Sequence, residues 1–334
     1  MGIPLRQGYR VARHLVSQKI RRQGKYPLAV QLEPLFACNL RCPGCGKTQH
    51  SPQVLSRRMS VADAVGGIVE SGTPVVSIAG GEPLLHPEIG DIVESLIARH
   101  MSVYLCTNGL MLRRSLELFK ASPYFAWVVH LDGLGEQHDR SVGREGVFEE
   151  AVAAVRQAKA RGFRVTTNST FFSTSSARDV VGLLDFLCLE LEVDAAMVSP
   201  AYAQEKALDQ DRFPVVAETQ KLFREVLDQG RRRGWRFNHS PLYLDFLMGL
   251  VDLPCTPWAV PSFSVLGWQR PCYLLADGHV ESYRELIETT DWAEYGRGRD
   301  PRCSDCMAHS GYEPSAVITM MRSPLTAARS YIRR

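Results

Sequence analysis

Three cysteines, Cys38, Cys42 and Cys45, stand in a C-x3-C-x2-C spacing directly after a β-rich run at residues 28–34. Three close thiolates can hold three corners of a [4Fe-4S] cube, and the missing fourth ligand leaves one iron open; most electron-transfer clusters use four cysteines. An open iron can take the amino and carboxylate groups of a methionine and pass an electron to an adjacent sulfonium. A structural zinc site competes with this reading, but zinc sites usually combine two separated C-x2-C knuckles with a fourth ligand. One β/α unit later the sequence reads Gly80-Gly81-Glu82-Pro83. Glycines allow close backbone approach and a carboxylate complements an ammonium. Alone, that tetrapeptide would be a turn; its place after the cysteines makes it specific.

Further polar residues close the following β-rich runs: Asn108 with Gly109, Asp132 with Gly133, Asn168, and Ser199. Each alone could be a turn former or a cap. All of them at C-terminal strand ends together point to a ligand shell. Four more cysteines follow, Cys255, Cys272, Cys303 and Cys306, the last two as C-x2-C. Four thiolates are a full set for a second [4Fe-4S] cluster or for zinc; four reduced cysteines in a small core are the competing reading. Cys188, inside a helical apolar run, reads as core.

The elements that must position these groups alternate from about residue 28 to 200. Six short β-rich runs are each followed by a helical pattern, which predicts parallel strands with helical crossovers. Side chains two apart share a face. Val30 and Leu32, Val76 and Ile78, Val103 and Leu105, Val129 and Leu131, and Val165 would meet the helices. The other face carries Gln31, Glu33, Ser77, Tyr104, Cys106, His130, Asp132, Thr166, Asn168 and Ser199. A flat sheet covered on both sides would be apolar on both faces. A polar second face predicts an α/β fold closed into a partial (β/α)6 TIM-like barrel, with a ligand at its C-terminal mouth. The expected organisation is a basic N-terminal helical arm at 1–27, the barrel at 28–210, a smaller C-terminal domain with four cysteines at 211–320 covering the open barrel, and a basic tail at 321–334.

The 334 residues, 45% hydrophobic and 22% charged, have ordinary globular composition and can bury a large core. No run of about 18 apolar residues and no signal segment appear, so a cytoplasmic protein is expected, with metal-binding or reactive cysteines rather than disulfides. The net charge of +3 hides an asymmetry: residues 1–25 carry seven Lys and Arg and no acid, and residues 321–334 carry four Arg and no acid. That leaves 28 basic against 36 acidic residues, a body of about −8. Val11, Leu15 and Ile20 interleave with Arg10, Arg13, His14, Lys19, Arg21 and Arg22, a pattern that suits a helix resting on anionic lipid at the inner face of a membrane. A solvated helix packing one face on the body is the alternative. No aromatic-studded basic groove supports a nucleic-acid partner.

The C-x3-C-x2-C loop after the first strand, with Gly80-Gly81-Glu82, resembles the radical S-adenosylmethionine (radical SAM) superfamily over about residues 28–200. The resemblance implies a [4Fe-4S] cluster on Cys38, Cys42 and Cys45, and S-adenosylmethionine bound at Gly80, Gly81, Glu82 and Pro83, with Glu82 meeting its amino group. By the same analogy Asn108, Asp132, Asn168 and Ser199 contact its ribose, carboxylate and adenine. It also implies an external one-electron reductant such as flavodoxin or ferredoxin. The segments LEPLFACNLRCPGCGK, VVSIAGGEPLLH, VYLCTNGL, VHLDG, CTPW, PCYLL and CSDCM look like those of the hopanoid-biosynthesis family of adenosylhopane synthases. That family adds the 5′-deoxyadenosyl radical to the terminal alkene of an apolar triterpene, a hopene. Such an addition leaves a carbon radical needing one hydrogen atom, and Cys106, near the mouth end of the third strand, is the candidate donor, with Tyr104 and His130 as fallbacks. Cys255-x11-Gly267-x4-Cys272 resembles the opening of auxiliary-cluster domains. Later cysteines of the double-cluster pattern are missing, and His309 and Ser310 stand where another ligand would be, so at most one extra metal is expected. Rival readings are a radical peptide or protein maturase with an auxiliary cluster, and an iron–sulfur electron carrier or zinc-structured binding protein. The last would need neither Gly80-Gly81-Glu82 nor a polar lumen.

Overall fold

A computed structural model describes residues 2–204, 206–230 and 233–332. Helix α1 (Leu5–Ile20) precedes six strands in chain order: β1 (Val30–Glu33), β2 (Val75–Ile78), β3 (Ser102–Thr107), β4 (Phe125–His130), β5 (Val165–Phe171) and β6 (Ala195–Pro200). Each pairs in parallel with the next, as in Val30 opposite Val76 and Asn168 opposite Met197. Crossovers run through α2 (Val61–Ser71), α3 (Ile89–Ala98), α4 (Val147–Ala160) and α5 (Ala177–Asp185), while β3 reaches β4 through the single turn Leu112–Ser115. The helix starts are encoded locally. Ser60 and Ser176 accept from the backbone N–H of Asp63 and Asp179 at 3.1 and 3.2 Å, satisfying donors that have no partner inside the helix.

After β6 come α6 (Val216–Gly230), α7 (Pro241–Leu247), β7 (Ser262–Ser264), β8 (Gly267–Pro271), β9 (Ala276–Val280), α8 (His309–Arg322) and α9 (Pro324–Ile332). The cysteine-bearing C-terminal region shares the barrel sheet. β7 lies parallel on the outer edge of β1, Leu32 opposite Phe263, and β8 and β9 follow antiparallel, giving the order β6-β5-β4-β3-β2-β1-β7-β8-β9. β6 and β9 are its two edges, so the barrel is incomplete. No helix among the described residues is long and apolar enough to cross a membrane.

The alternation read from the sequence places the core. Val30, Leu32, Val76, Ile78, Val103, Leu105, Val129, Leu131 and Val165 are all buried in one apolar cluster beneath the helices. Inside the barrel, Val75, Ala126, Val128 and Tyr104 form a second cluster, against which Val11 of α1 and Met197 pack. The lumen is therefore apolar at the strands' N-terminal ends and polar at their C-terminal ends. Helix α1 is anchored at two points: Leu15 packs with Ile318 and Val317 of α8, and Gln7 Oε1 accepts a hydrogen bond from the Tyr104 hydroxyl at 2.6 Å. Val11 and Leu15 thus face the body, not solvent, because they fill the open end of the barrel.

Candidate active site

One cavity of about 700 Å³ runs from the cysteine loop through the lumen to the terminal helices. Cys38, Cys42, Cys45, Gly80, Gly81, Glu82, Cys106, Asn108, Asp132 and Asn168 all line it. Residues far apart in sequence meet there because each sits at or near the C-terminal end of a parallel strand. Pro83 and Ser199 do not line it. Pro83 is buried at the start of a short 3₁₀ turn, and the Ser199 hydroxyl faces His309 Nδ1 at 3.2 Å instead.

The loop after β1 holds the three cysteines by a tight turn, with Cys45 N–H donating to Cys42 O at 3.0 Å, and by a bond from Leu40 N–H to Cys38 Sγ at 3.4 Å. Burial, with the neighbouring thiols adding to it, pushes Cys38 up to about 11 and Cys42 up to about 12. Burial also raises Cys45. Lys47 only partly offsets burial at Cys45, whereas coordination to a metal removes a thiol proton outright. No three His, Cys, Asp or Glu side chains among the described residues converge as a lone ion requires; a cube takes its thiolates at separate irons. Three cavity-lining thiols fit a cluster. Lys47 stands behind them, its ammonium 2.7 Å from Glu33 in a buried pair that Ser262 Oγ joins at 3.4 Å. The sequence reading did not single out Lys47, although it falls two residues after Cys45.

The glycines of Gly80-Gly81 are required by the cysteine loop itself. A Cβ on Gly80, whose φ is +109°, would lie 2.3 Å from Leu35 O, and one on Gly81 would lie 2.0 Å from Ala37 O. That backbone approach is fixed by Gly81 N–H to Leu35 O at 3.0 Å and Glu82 N–H to Ala37 O at 2.9 Å. Glu82 is buried, and its carboxylate accepts from Leu84 N–H at 3.1 Å, Thr107 Oγ1 at 2.9 Å and Asn108 N–H at 2.9 Å. Three of roughly four acceptor positions are used, leaving one for a ligand ammonium. Burial pushes its carboxyl up to about 7 despite those bonds.

Asn108 ties β3 to the cysteine loop, donating through Nδ2 to Asn39 Oδ1 at 2.7 Å. Asp132 is held by His130 Nε2 at 2.8 Å, Ser141 Oγ at 2.9 Å and Thr170 N–H at 2.7 Å. Burial opposes charge on both members of the His130–Asp132 pair. Their mutual attraction outweighs it, raising His130 and, with further help from Thr170 N–H, lowering Asp132. Asn168 Oδ1 is buried with no hydrogen-bond partner, an open acceptor on the cavity wall. Cys106 Sγ lies 3.5 Å from Ser77 Oγ, and burial pushes its thiol up to about 11.

A second cavity of about 220 Å³ is lined by all four C-terminal cysteines, Cys255, Cys272, Cys303 and Cys306. Burial raises each of them, to about 11 for Cys272 and about 12 for Cys306, with neighbouring cysteines contributing at Cys255, Cys272 and Cys306. Gly311 makes room for one of them, since a Cβ there would lie 2.6 Å from Cys255 Sγ. This donor set also fits a cluster. His309 lines the barrel cavity rather than this one. Tyr202 lines both cavities.

Residues 32–187 match the family described as the radical SAM superfamily, and residues 196–330 match a domain of unknown function, DUF3463. The antilisterial bacteriocin subtilosin biosynthesis protein AlbA of Bacillus subtilis is 28% identical over 49% of this chain and 38% of AlbA. The mycofactocin maturase MftC of Mycobacterium tuberculosis is 29% identical over 41% of this chain and 36% of MftC. This chain therefore spans well under half the length of these two relatives. In three dimensions it superimposes on SuiB of Streptococcus suis bound to S-adenosylmethionine, with a TM-score of 0.68 at 17% identity over 93% of this chain and 78% of SuiB, a likeness of fold. The superfamily works with a [4Fe-4S] cluster and S-adenosylmethionine, which suits the three thiols, the open Glu82 position and the orphaned Asn168 oxygen on one cavity wall. Residues 32–187 of this chain thus carry a match to the radical SAM superfamily.

Proposed function

We propose that this chain is an adenosyl-transferring radical SAM enzyme that adds the 5′-deoxyadenosyl group to the alkene of a bulky apolar substrate, a hopene, as in the adenosylhopane synthases its motifs resemble. The observation that carries the proposal is the two-part cavity. Its upper part is polar and cysteine-lined, and its lower part is walled mainly by Val11, Leu15, Leu28, Val75, Val128 and Met320, with Gln7, Tyr104 and Asn238 as polar exceptions. A peptide backbone in the lower part would leave most of its donors and acceptors without partners, whereas a hydrocarbon skeleton would bury apolar surface against the aliphatic wall.

Cys38, Cys42 and Cys45 would hold the cluster, and Glu82 and Asn168 would orient the cofactor. When bound and reduced, the cluster would supply the electron that splits S-adenosylmethionine into methionine and the 5′-deoxyadenosyl radical. Cys106 would then give a hydrogen atom to the carbon radical left when the adenosyl C5′ has bonded to the terminal alkene carbon. An external reductant such as flavodoxin or ferredoxin would supply two electrons per turnover, one to the cluster and one, with a proton, to the Cys106 sulfur. Cys106 suits this role because its buried thiol stays protonated. Four partly buried cysteines around one cavity support a second [4Fe-4S] cluster.

A second reading, peptide or protein maturation, is favoured by the names of AlbA and MftC. Anaerobic reconstitution with iron and sulfide, followed by dithionite, S-adenosylmethionine and a hopene, separates the two. A lipid heavier by the adenosyl group supports addition. Free 5′-deoxyadenosine with unmodified lipid sinks it in favour of another radical SAM substrate.

A further inference from the structure

Helix α1 carries two apolar faces, and the fold uses one. Val11 and Leu15 point into the body, but Leu5, Tyr9, Val16 and Ile20 are 92, 69, 51 and 77% exposed. At 3.6 residues per turn these four fall within an arc of about 60° along about 22 Å of helix. Arg6 and Arg13 border the stripe on one side and Lys19 on the other, all exposed. Helix α1 is not loosely attached, because Gln7 is bonded to Tyr104 and Leu15 is packed on α8. The stripe is held facing outwards.

The second observation is where the barrel cavity reaches solvent. Among the described residues lining it, those that are exposed are Gly8, Met321 and Tyr331. Gly8 belongs to α1, Met321 to α8 and Tyr331 to α9. Beside them Leu325 is 75% exposed, and Arg322 and Arg329 are exposed too. The mouth of an apolar chamber thus lies between two terminal segments that are basic and expose aliphatic side chains, on a body of the opposite charge.

We infer that α1 and the α8–α9 segment form a docking rim for an anionic membrane, and that an apolar substrate passes from the bilayer between Gly8, Met321 and Tyr331 into the barrel. This inference rests on the reading of an apolar lipid substrate. The aliphatic stripe would sit at the headgroup–acyl boundary with the arginines and Lys19 at phosphate level, the arrangement of an interfacial helix. A lipid entering there would remain in an apolar environment throughout. The occupant is a membrane rather than a protein partner because the exposed charges of both segments have one sign and flank aliphatic side chains on each.

The test is flotation of the full chain with vesicles of phosphatidylglycerol or of phosphatidylcholine, together with turnover of a hopene presented in vesicles or in detergent. Wild type is expected to float with the anionic vesicles and to be released by high salt. L5S/V16S/I20S should float several-fold less and turn over vesicle-embedded substrate correspondingly more slowly, with the wild-type rate in detergent. R6Q/R13Q/K19Q should bind the anionic vesicles about fivefold more weakly per charge removed. A wild type that does not float, or an L5S/V16S/I20S variant that floats like wild type, overturns the inference. A dimer that this variant dissociates overturns it as well, by assigning the stripe to a second copy of the chain. Flotation that responds to both variants, with no lipid product in either presentation, upholds the docking rim and sinks the proposed reaction.

Discussion

Cys106 Sγ and Ser77 Oγ approach to 3.5 Å across neighbouring strands, inside the cavity that also holds Cys38, Cys42 and Cys45. One hydroxyl thus fixes the direction of the one lumen thiol that no metal-ligand spacing claims. Cys106→Ala should therefore leave S-adenosylmethionine cleavage intact and cut formation of the reduced adduct by roughly tenfold or more. In D₂O the wild-type thiol should deliver one deuterium to the product. Deuterium in the product of Cys106→Ala at the wild-type level would remove Cys106 from the mechanism.

Glu82 gives a pH signature. Its folded value of about 7 lies above the ordinary 4.5, so between those values the folded chain holds a proton that the unfolded chain has released. Its contribution to stability is fully present below about 4.5 and lost as pH rises towards 7, amounting to roughly 3 kcal/mol at most. Denaturant unfolding of the ligand-free chain should show this decline, and Glu82→Gln should flatten it while weakening S-adenosylmethionine binding. Parallel pH profiles for the two proteins would refute the assignment.

Asn168 separates stability from binding. Its Oδ1 is buried without a partner, so Asn168→Ala removes an unmet acceptor and should leave stability unchanged or slightly improved. Affinity for S-adenosylmethionine should fall by about 1 kcal/mol, the worth of one hydrogen bond. Unaltered affinity measured by calorimetry would mean that the ligand shell does not include this oxygen.

The two cysteine groups should load independently. Anaerobically reconstituted wild type is expected to carry about eight irons per chain, two cubes. Gly311→Ala drives a methyl to 2.6 Å from Cys255 Sγ and should halve that count while the barrel cluster still cleaves S-adenosylmethionine. Wild type carrying only about four irons, with the C-terminal cysteines empty or holding zinc, would argue against a second cluster.

Gly81→Ala tests the other end. The added Cβ would lie 2.0 Å from Ala37 O, so the loop that carries Cys38 must shift. Loss of about 1–3 kcal/mol of stability, together with loss of the barrel cluster, is expected. A variant that binds iron and S-adenosylmethionine normally would show that the glycine pair serves some other purpose.

Much of this arrangement was legible in the chain itself, wherever the determining pattern is local. The period of two in residues 30–33, 75–78 and 102–107 decides which side chains meet the helices and which enter the lumen. The grouping of Cys38, Cys42 and Cys45 on one cavity wall follows from their close spacing. Long-range closure decided the rest. The sequence could not say that Ser199 turns to His309, that Lys47 pairs with Glu33, or that Cys255 and Cys272 share a cavity with Cys303 and Cys306. Nor could it say which apolar residues of α1 are consumed by the fold. Val11 and Leu15 look no different from Val16 and Ile20 in composition, and only the position of α1 across the open end of the barrel buries the first pair and leaves the second outside. Periodicity is set by backbone geometry within one element, whereas partners and exposure are set by which elements the folded chain brings into contact.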